Sequence, residues 1–353
     1  MSKHIGGIQQ IGIGTGDLHQ EWSWYRKNFG MDIRIFEDAA EAPLMTPYTG
    51  EKVQKRVAAL AMNLEGGGGF EIWQYTSRTP VVAEFPITIS EIGFLACKMK
   101  TRDADKAYQH LKNNGASFLS EVRVNPIGQK HFYLNDKSGN LFEILEAQEF
   151  FKDIDSPVGG VYGCLIGVSD MEKSISFYKN VLDFDLVKSD EEGVFQDFSG
   201  LPGSNQKFRR VILEKSQMPI GPFAPLLGTN QIELIEPLEK KGKKVFENRF
   251  WGDLGFIHLC FDVQDMDGLR SKAEALNHSF TVDSANSFDM GKAAGRFAYV
   301  EDPDGALIEF VETHKLPIVE KWGWYLNLKK RSDQSKSLPK WLLSCFRFNR
   351  VKD

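Results

Sequence analysis

Cysteine is scarce in this chain: Cys97, Cys164, Cys260 and Cys345 stand far apart in 353 residues, three of them inside strand-like apolar runs. That is the pattern of buried free thiols in a reducing compartment rather than of a disulfide framework. No long apolar stretch opens the sequence, so neither a secretory leader nor a membrane span is indicated and the cytoplasm is the expected location. Charge of one sign is also lacking. A formal net charge of -5 and a pI near 5.9 argue against a general nucleic-acid binder. The four glycines at 66–69 are not followed by Lys-Ser/Thr or by a helix signal, so they predict a flexible hairpin turn and not a phosphate cradle.

What the chain does have is strand periodicity and length enough for two domains. Residues 255–263 alternate Phe256, His258, Cys260 and Asp262 against Ile257, Leu259, Phe261 and Val263, the two-residue period of a strand with one aliphatic face. His258 is then expected to point into whatever the sheet encloses. Some 50 residues on, Asp302-Pro-Asp-Gly305 makes a turn between two further strands, and Glu309 lies mid-strand among hydrophobes, where an unpaired carboxylate is costly to bury.

The chain also repeats itself. A short strand at 8–14 precedes a helix over 18–28, capped by Asp17, stopped by Gly30 and packing through Trp22, Tyr25 and Phe29. Strands follow at 31–36, 55–64 and 70–75. A second such unit runs from 92 to 145. Residues 150–157, polar and ended by Pro157, read as a linker. Beyond it, 170–180 answers 17–27, and the turn at 302–305 answers that at 136–139. The expected domains are 1–150 and 158–314, each of two units closed on one another. A tail over 315–353 carries ten Lys/Arg against three Asp/Glu, interleaved with aromatics; it is expected to pack back on the acidic body, with a partner or dimer surface and an anionic-membrane or nucleic-acid surface as the alternatives.

Four units of this kind, each with a Gly-Ile-containing strand, an Asp-Leu or Asp-Met helix start, a Phe/Trp-Tyr pair and a closing Glu strand, resemble the vicinal oxygen chelate superfamily of glyoxalase I, bleomycin-resistance proteins and extradiol dioxygenases. The resemblance covers about residues 5–313 and implies an α+β fold of four βαβββ units paired into two incomplete eight-stranded barrels. It also implies metal ligands on the opening and closing strands of paired units. Carried over to this sequence, those positions are Gln10, Glu71, Gly93 and Glu143 in one half and Gly163, Glu233, His258 and Glu309 in the other. The expected metal site is His258, Glu233 and Glu309, with Glu233 and Glu309 as the catalytic carboxylates. Gln10, Glu71 and Glu143 then form a secondary or degenerate site. Arg209, Lys292 and Arg296 are candidate substrate contacts, and His131 is expected to be structural.

One imidazole with two carboxylates suits one divalent transition metal, Zn, Fe, Mn, Co or Ni. The implied activity is proton transfer through a metal-stabilised enediolate on a small molecule with vicinal oxygens, as in glyoxalases, isomerases and epimerases. Two other readings stand beside it: an extradiol ring-cleaving dioxygenase, whose members usually present two His and one Glu, and a non-catalytic small-molecule binder, favoured by glycine at two ligand positions. No nucleic-acid partner and no transmembrane segment are expected.

Overall fold

The computed structural model describes residues 4–285, 288–289, 294–319, 322–331 and 333–352. The first unit comprises β1 (Ile5–Gly14), α1 (Leu18–Phe29), β2 (Ile33–Glu41), β3 (Lys55–Met62) and β4 (Gly69–Tyr75). The second comprises β5 (Gly93–Thr101), α2 (Ala104–Asn113), β6 (Ser117–Phe118), β7 (Arg123–Val124), β8 (Lys130–Asn135) and β9 (Leu141–Glu146). In the third are β10 (Val161–Gly167), α3 (Met171–Asn180), β11 (Leu186–Gly193), β12 (Phe208–Glu214), the single turn α4 (Ala224–Leu227) and β13 (Gln231–Pro237). The fourth has β14 (Gly255–Val263), α5 (Met266–Ala275), β15 (Val282–Asp283), β16 (Phe288–Asp289), β17 (Ala294–Glu301) and β18 (Leu307–Val319); β19 (Trp324–Asn327) and α6 (Lys340–Leu343) follow.

Local signals act as the residues suggest. Asp17 accepts from the Gln20 N–H at 3.0 Å, and Gly30 adopts φ 64° to end α1, a conformation that glycine reaches without a Cβ penalty. Asp103 and Asp170 cap α2 and α3 in the same way. The expected alternation in β14 breaks at one point. A bulge shifts the register between Gly12↔His258 and Ile13↔Phe256, so Phe256 joins the main core with Leu259 and Phe261, while Ile257 packs with Trp73 and Tyr299.

The four units build two curled sheets, as expected, but not from the two halves of the chain. One sheet runs β15-β17-β18-β14-β1-β4-β3-β2, so the first unit pairs with the fourth. The other runs β11-β12-β13-β10-β5-β9-β8-β6, so the second pairs with the third. The division into closed domains at 1–150 and 158–314 is therefore overturned: strands of both halves interleave in each sheet.

A steric fit accounts for the choice. In the first sheet the His258 ring lies across Gly12, its cross-strand partner, and a Cβ on residue 12 would collide with the ring. At the matching place in the second sheet, Leu165 faces Ala96. Exchanging partners would set Leu165 against the His258 ring and leave a void between Gly12 and Ala96. Overpacking and cavities each cost on the order of 1–3 kcal/mol or more.

The two sheets share one core through their aliphatic faces and α1 to α3 and α5. Tyr25 of α1 donates to Asp136 at 2.7 Å and Tyr178 of α3 to Asp302 at 2.9 Å, so each helix is tied to the turn of a unit in the other sheet. The glycines at 66–69 are not a free turn. Gly68 and Val161 exchange backbone hydrogen bonds of 2.8 Å, and a Cβ on Gly67 would lie 2.7 Å from the Gly160 carbonyl carbon, so main chain meets main chain where the sheets join. The linker is likewise pinned: Phe151 is buried and Glu65 accepts from the Ile154 N–H at 2.7 Å. The tail packs back as expected, although its boundary at 314/315 falls inside β18, which runs on to Val319. Leu328, Leu338, Leu342, Leu343 and Phe346 are buried against Ile33 and Leu60 of the first unit and Leu226 of the third.

Halves produced by expressing 1–156 and 157–353 separately should each lack a cooperative urea transition, since each holds two unpaired half-sheets. Co-expression should restore one. Far-UV circular dichroism with urea titration checks this; two independently cooperative halves would contradict the interleaved sheets.

Candidate metal centre

The four central strands of the first sheet, β4-β1-β14-β18, each bring one polar side chain to its concave face. Register places them together: Gly12 pairs with both Glu71 and His258, and Cys260 pairs with both Gln10 and Glu309. His258 Nε2 lies 3.2 Å from Glu71 Oε2 and 3.1 Å from Glu309 Oε2. Gln10 Nε2 lies 3.4 Å from each of the same two oxygens. Ligand atoms of Glu71, His258 and Glu309 fall within 4.8 Å of one another. His258 is fully buried, with Trp251 stacked at 6.3 Å and the Tyr299 ring edge-on at 5.7 Å. Gln10, Glu71 and Glu309 line one end of a cavity of about 510 Å³.

These groups fit a divalent cation on three counts. Neither ring nitrogen of His258 has a hydrogen-bond partner, because the nearby carboxylates lie off the ring N–H direction, and Gln10 Oε1 is also buried without a donor. A 180° turn of the Gln10 amide would present that oxygen to the centre. Two carboxylates face one imidazole, leaving negative charge in a buried place, which is costly unless a cation neutralises it. Burial works against a charged imidazole, yet Glu309 and then Glu71 outweigh it and push His258 up to about 10.

The second sheet solves the same problem with side chains. Matching register puts Gly163 at the Gln10 place, Glu233 at Glu71, Ala96 at His258 and Glu143 at Glu309. The ligand place in the second unit is therefore Ala96; Gly93 lies three residues earlier and pairs with Gly167. Lys98, buried and opposite Gly163, donates to Gln231 Oε1 at 2.6 Å and to Glu233, and its Nζ lies 3.3 Å from Glu143. Arg210 binds Glu233 at 2.5 Å and Asp197 at 2.6 Å. His131 contacts Glu143 at 2.6 Å and Asp197 at 3.3 Å.

Burial again opposes the His131 charge, but Asp197 and Glu143 raise its pKa. Burial would raise Glu143, yet Lys98 and His131 hold it down at about 2. Lys98, Arg210 and His131 surround Glu143, Glu233 and Asp197, and an ammonium stands where a metal would.

Glu233 therefore does not join His258 and Glu309; it belongs to the other sheet and is neutralised by Lys98 and Arg210, which corrects the expected trio. Gln10 and Glu71, expected in a secondary site, complete the centre with His258 and Glu309, while Glu143 is held apart from them by Lys98 and His131. His131 is fully buried between Glu143 and Asp197. Arg209 pairs on the surface with Asp190 at 2.8 Å and Glu172 at 2.7 Å; Arg296 binds Asp283 and Asp267; neither lines the cavity. Lys292 lies outside the described residues. Arg210, a further candidate substrate contact in the sequence, instead binds Glu233 and Asp197, and Lys98 lies in an alternation at 97–100 that resembles a half-exposed strand.

Paired βαβββ half-barrels with such a cluster on one concave face define a class of metal-fitted small-molecule proteins. The chain belongs to the Glyoxalase/Bleomycin resistance protein/Dioxygenase superfamily, whose sequence model matches residues 7–144 and 161–310. Among solved structures, glyoxalase I from Zea mays is similar in fold at TM-score 0.56 and 16% identity, covering 88% of this chain and 93% of that one. A putative dioxygenase from Bacillus subtilis gives TM-score 0.55 and 12% identity, covering 88% and 86%. No curated protein sequence matches the chain. No described helix is long and apolar enough to cross a membrane.

Two variants check the site. Gly12→Ala should displace the His258 ring and weaken divalent-metal binding by about 10- to 100-fold, the size of effect seen when a ligand's support is removed; metal titration calorimetry reads it. Lys98→Met leaves Glu143 and Glu233 facing each other and should destabilise the fold by about 3–5 kcal/mol at pH 7. The depressed Glu143 pKa contributes stability that is present above about pH 4.5 and lost toward pH 2, so the difference from wild type should shrink across that window in urea titrations.

Proposed function

We propose that this protein is a divalent-metal-dependent enzyme of the glyoxalase and isomerase kind, moving a proton between adjacent carbons of a small molecule with vicinal oxygens. The observation that carries this reading is the convergence of Gln10, Glu71, His258 and Glu309 at the closed end of a cavity, with buried negative charge and orphaned ligand atoms. Glu71 and Glu309 approach the site from opposite sides of β1 and β14, so carboxylates flank the place where substrate oxygens would sit. A bound divalent ion supplies Lewis-acid polarisation of those oxygens.

The chain's own residues do the rest. His258 and Gln10 fix the centre from the sheet. Glu71, whose side chain is 14% exposed and borders the cavity, is the freer of the two carboxylates and is assigned the role of base, taking a proton at Oε1 or Oε2 and returning it to the neighbouring carbon. Glu309, 9% exposed beside His258, serves chiefly as ligand. Trp251 and Tyr299 exclude water behind the centre. The ring-cleaving alternative fits less well, since its members usually present two imidazoles and the cluster contains one.

Elemental analysis of reconstituted protein should give about one divalent ion per chain. His258→Ala should abolish it with the fold retained, while Glu233→Gln should leave the stoichiometry unchanged. A metal lost with Glu233 and kept without His258 would place the centre in the wrong sheet.

A further inference from the structure

The cavity that ends at Glu71 and Glu309 is far larger than a metal centre needs, and its far wall is built by the tail. Along β18 the cavity is lined by Glu309, Val311, Thr313 and then Leu316, a span of about 20 Å at strand rise. The tail's Phe346 closes that end together with Leu226 and Leu227 of the third unit and Met62 of the first. Phe346 and Leu227 are each 1% exposed, so the wall is formed and fixed. Among the described residues, the cation on its lining is Arg56, and that guanidinium is held by Asp38 at 2.5 Å. Glu41 adds a further carboxylate, paired with the exposed Lys55 at 3.5 Å. Such a cavity offers a hydrocarbon body good burial and offers an anionic conjugate, a peptide or nucleotide carrier for example, no free counter-charge among those residues.

We infer that the tail is part of the substrate site, and that the substrate carries its adjacent oxygens at the end of an elongated, uncharged apolar body seated against Leu316 and Phe346. This rests on the metal-centre reading above and goes beyond it in naming the substrate's body and the segment that selects it.

Alkyl hydroxamates, whose two neighbouring oxygens chelate divalent metals, test it on the full-length, metal-loaded protein by calorimetry. Octanohydroxamate should bind at least about 100-fold more tightly than acetohydroxamate, since each buried methylene contributes about fourfold. An eight-carbon hydroxamate ending in a carboxylate should lose most of that gain. Phe346→Ala, and independently Leu227→Ala, should weaken octanohydroxamate by about tenfold and leave acetohydroxamate unchanged. Equal affinity for the short and long probes, tight binding of the carboxylate-ended one, or variants that shift both alkyl probes alike would each overturn the inference while the metal centre stands. Metal-loaded protein that binds neither alkyl probe would overturn the metal-centre reading, and the inference with it.

Discussion

The His258 ring lying flat across Gly12 is the contact on which the rest depends. It selects which opening strands pair, since a ring needs a glycine opposite and Leu165 needs Ala96. Through that pairing it decides which carboxylates meet. Had β1 paired with β5, Glu71 would face Lys98, and His258 would face Glu233 with a leucine in the way. Pairing specificity and site chemistry are thus one steric decision. Side-chain volume at a few inward positions does what register and loop length cannot do among four units of the same design.

Two half-barrels of the same plan then treat buried carboxylates in opposite ways. In the second sheet Lys98, Arg210 and His131 answer three carboxylates inside the protein, and Gly163 leaves room for the Lys98 stem. Its interior is closed and serves stability and rigidity. In the first sheet Glu71 and Glu309 meet at His258 and Gln10, the concave face stays open, and the tail lines the space. The two sheets hold one another in shape, because Tyr25–Asp136 and Tyr178–Asp302 lock each sheet's helices to the other.

Much of this was legible in the sequence. Period-two runs, Asp caps and the repeated helix motifs identified four units and their family, and Gln10, Glu71, His258 and Glu309 all stood among the inward positions. What failed was the grouping. Glu233, within Ile232–Glu–Leu234, is locally indistinguishable from Glu309 within Ile308–Glu–Phe310. Their difference lies across the sheet, in Lys98 on one side and His258 on the other, and a linear pattern does not reveal cross-strand partners. Lys98 and Lys100 are both buried, although lysines alternating with Cys97 and Met99 have the pattern of a half-exposed strand. The bulge between Phe256 and His258 is also invisible in the alternation, and it sends Phe256 and Ile257 to the faces opposite those expected while His258 and later residues keep theirs.

The interleaved sheets also bear on how the chain is made. β1 leaves the ribosome first, but its antiparallel neighbour β14, where Ile5 meets Val263, is synthesised some 250 residues later. At elongation rates of about 5–20 residues per second, the edge of β1 facing β14 stays open for on the order of 10–50 s, with β2 to β4 covering its other side. The second and third units complete their sheet inside that interval. The nascent chain therefore passes through a stage in which the second sheet is closed and the first is a hydrophobic half-sheet with an open edge, the kind of surface that invites chaperones or a second nascent copy.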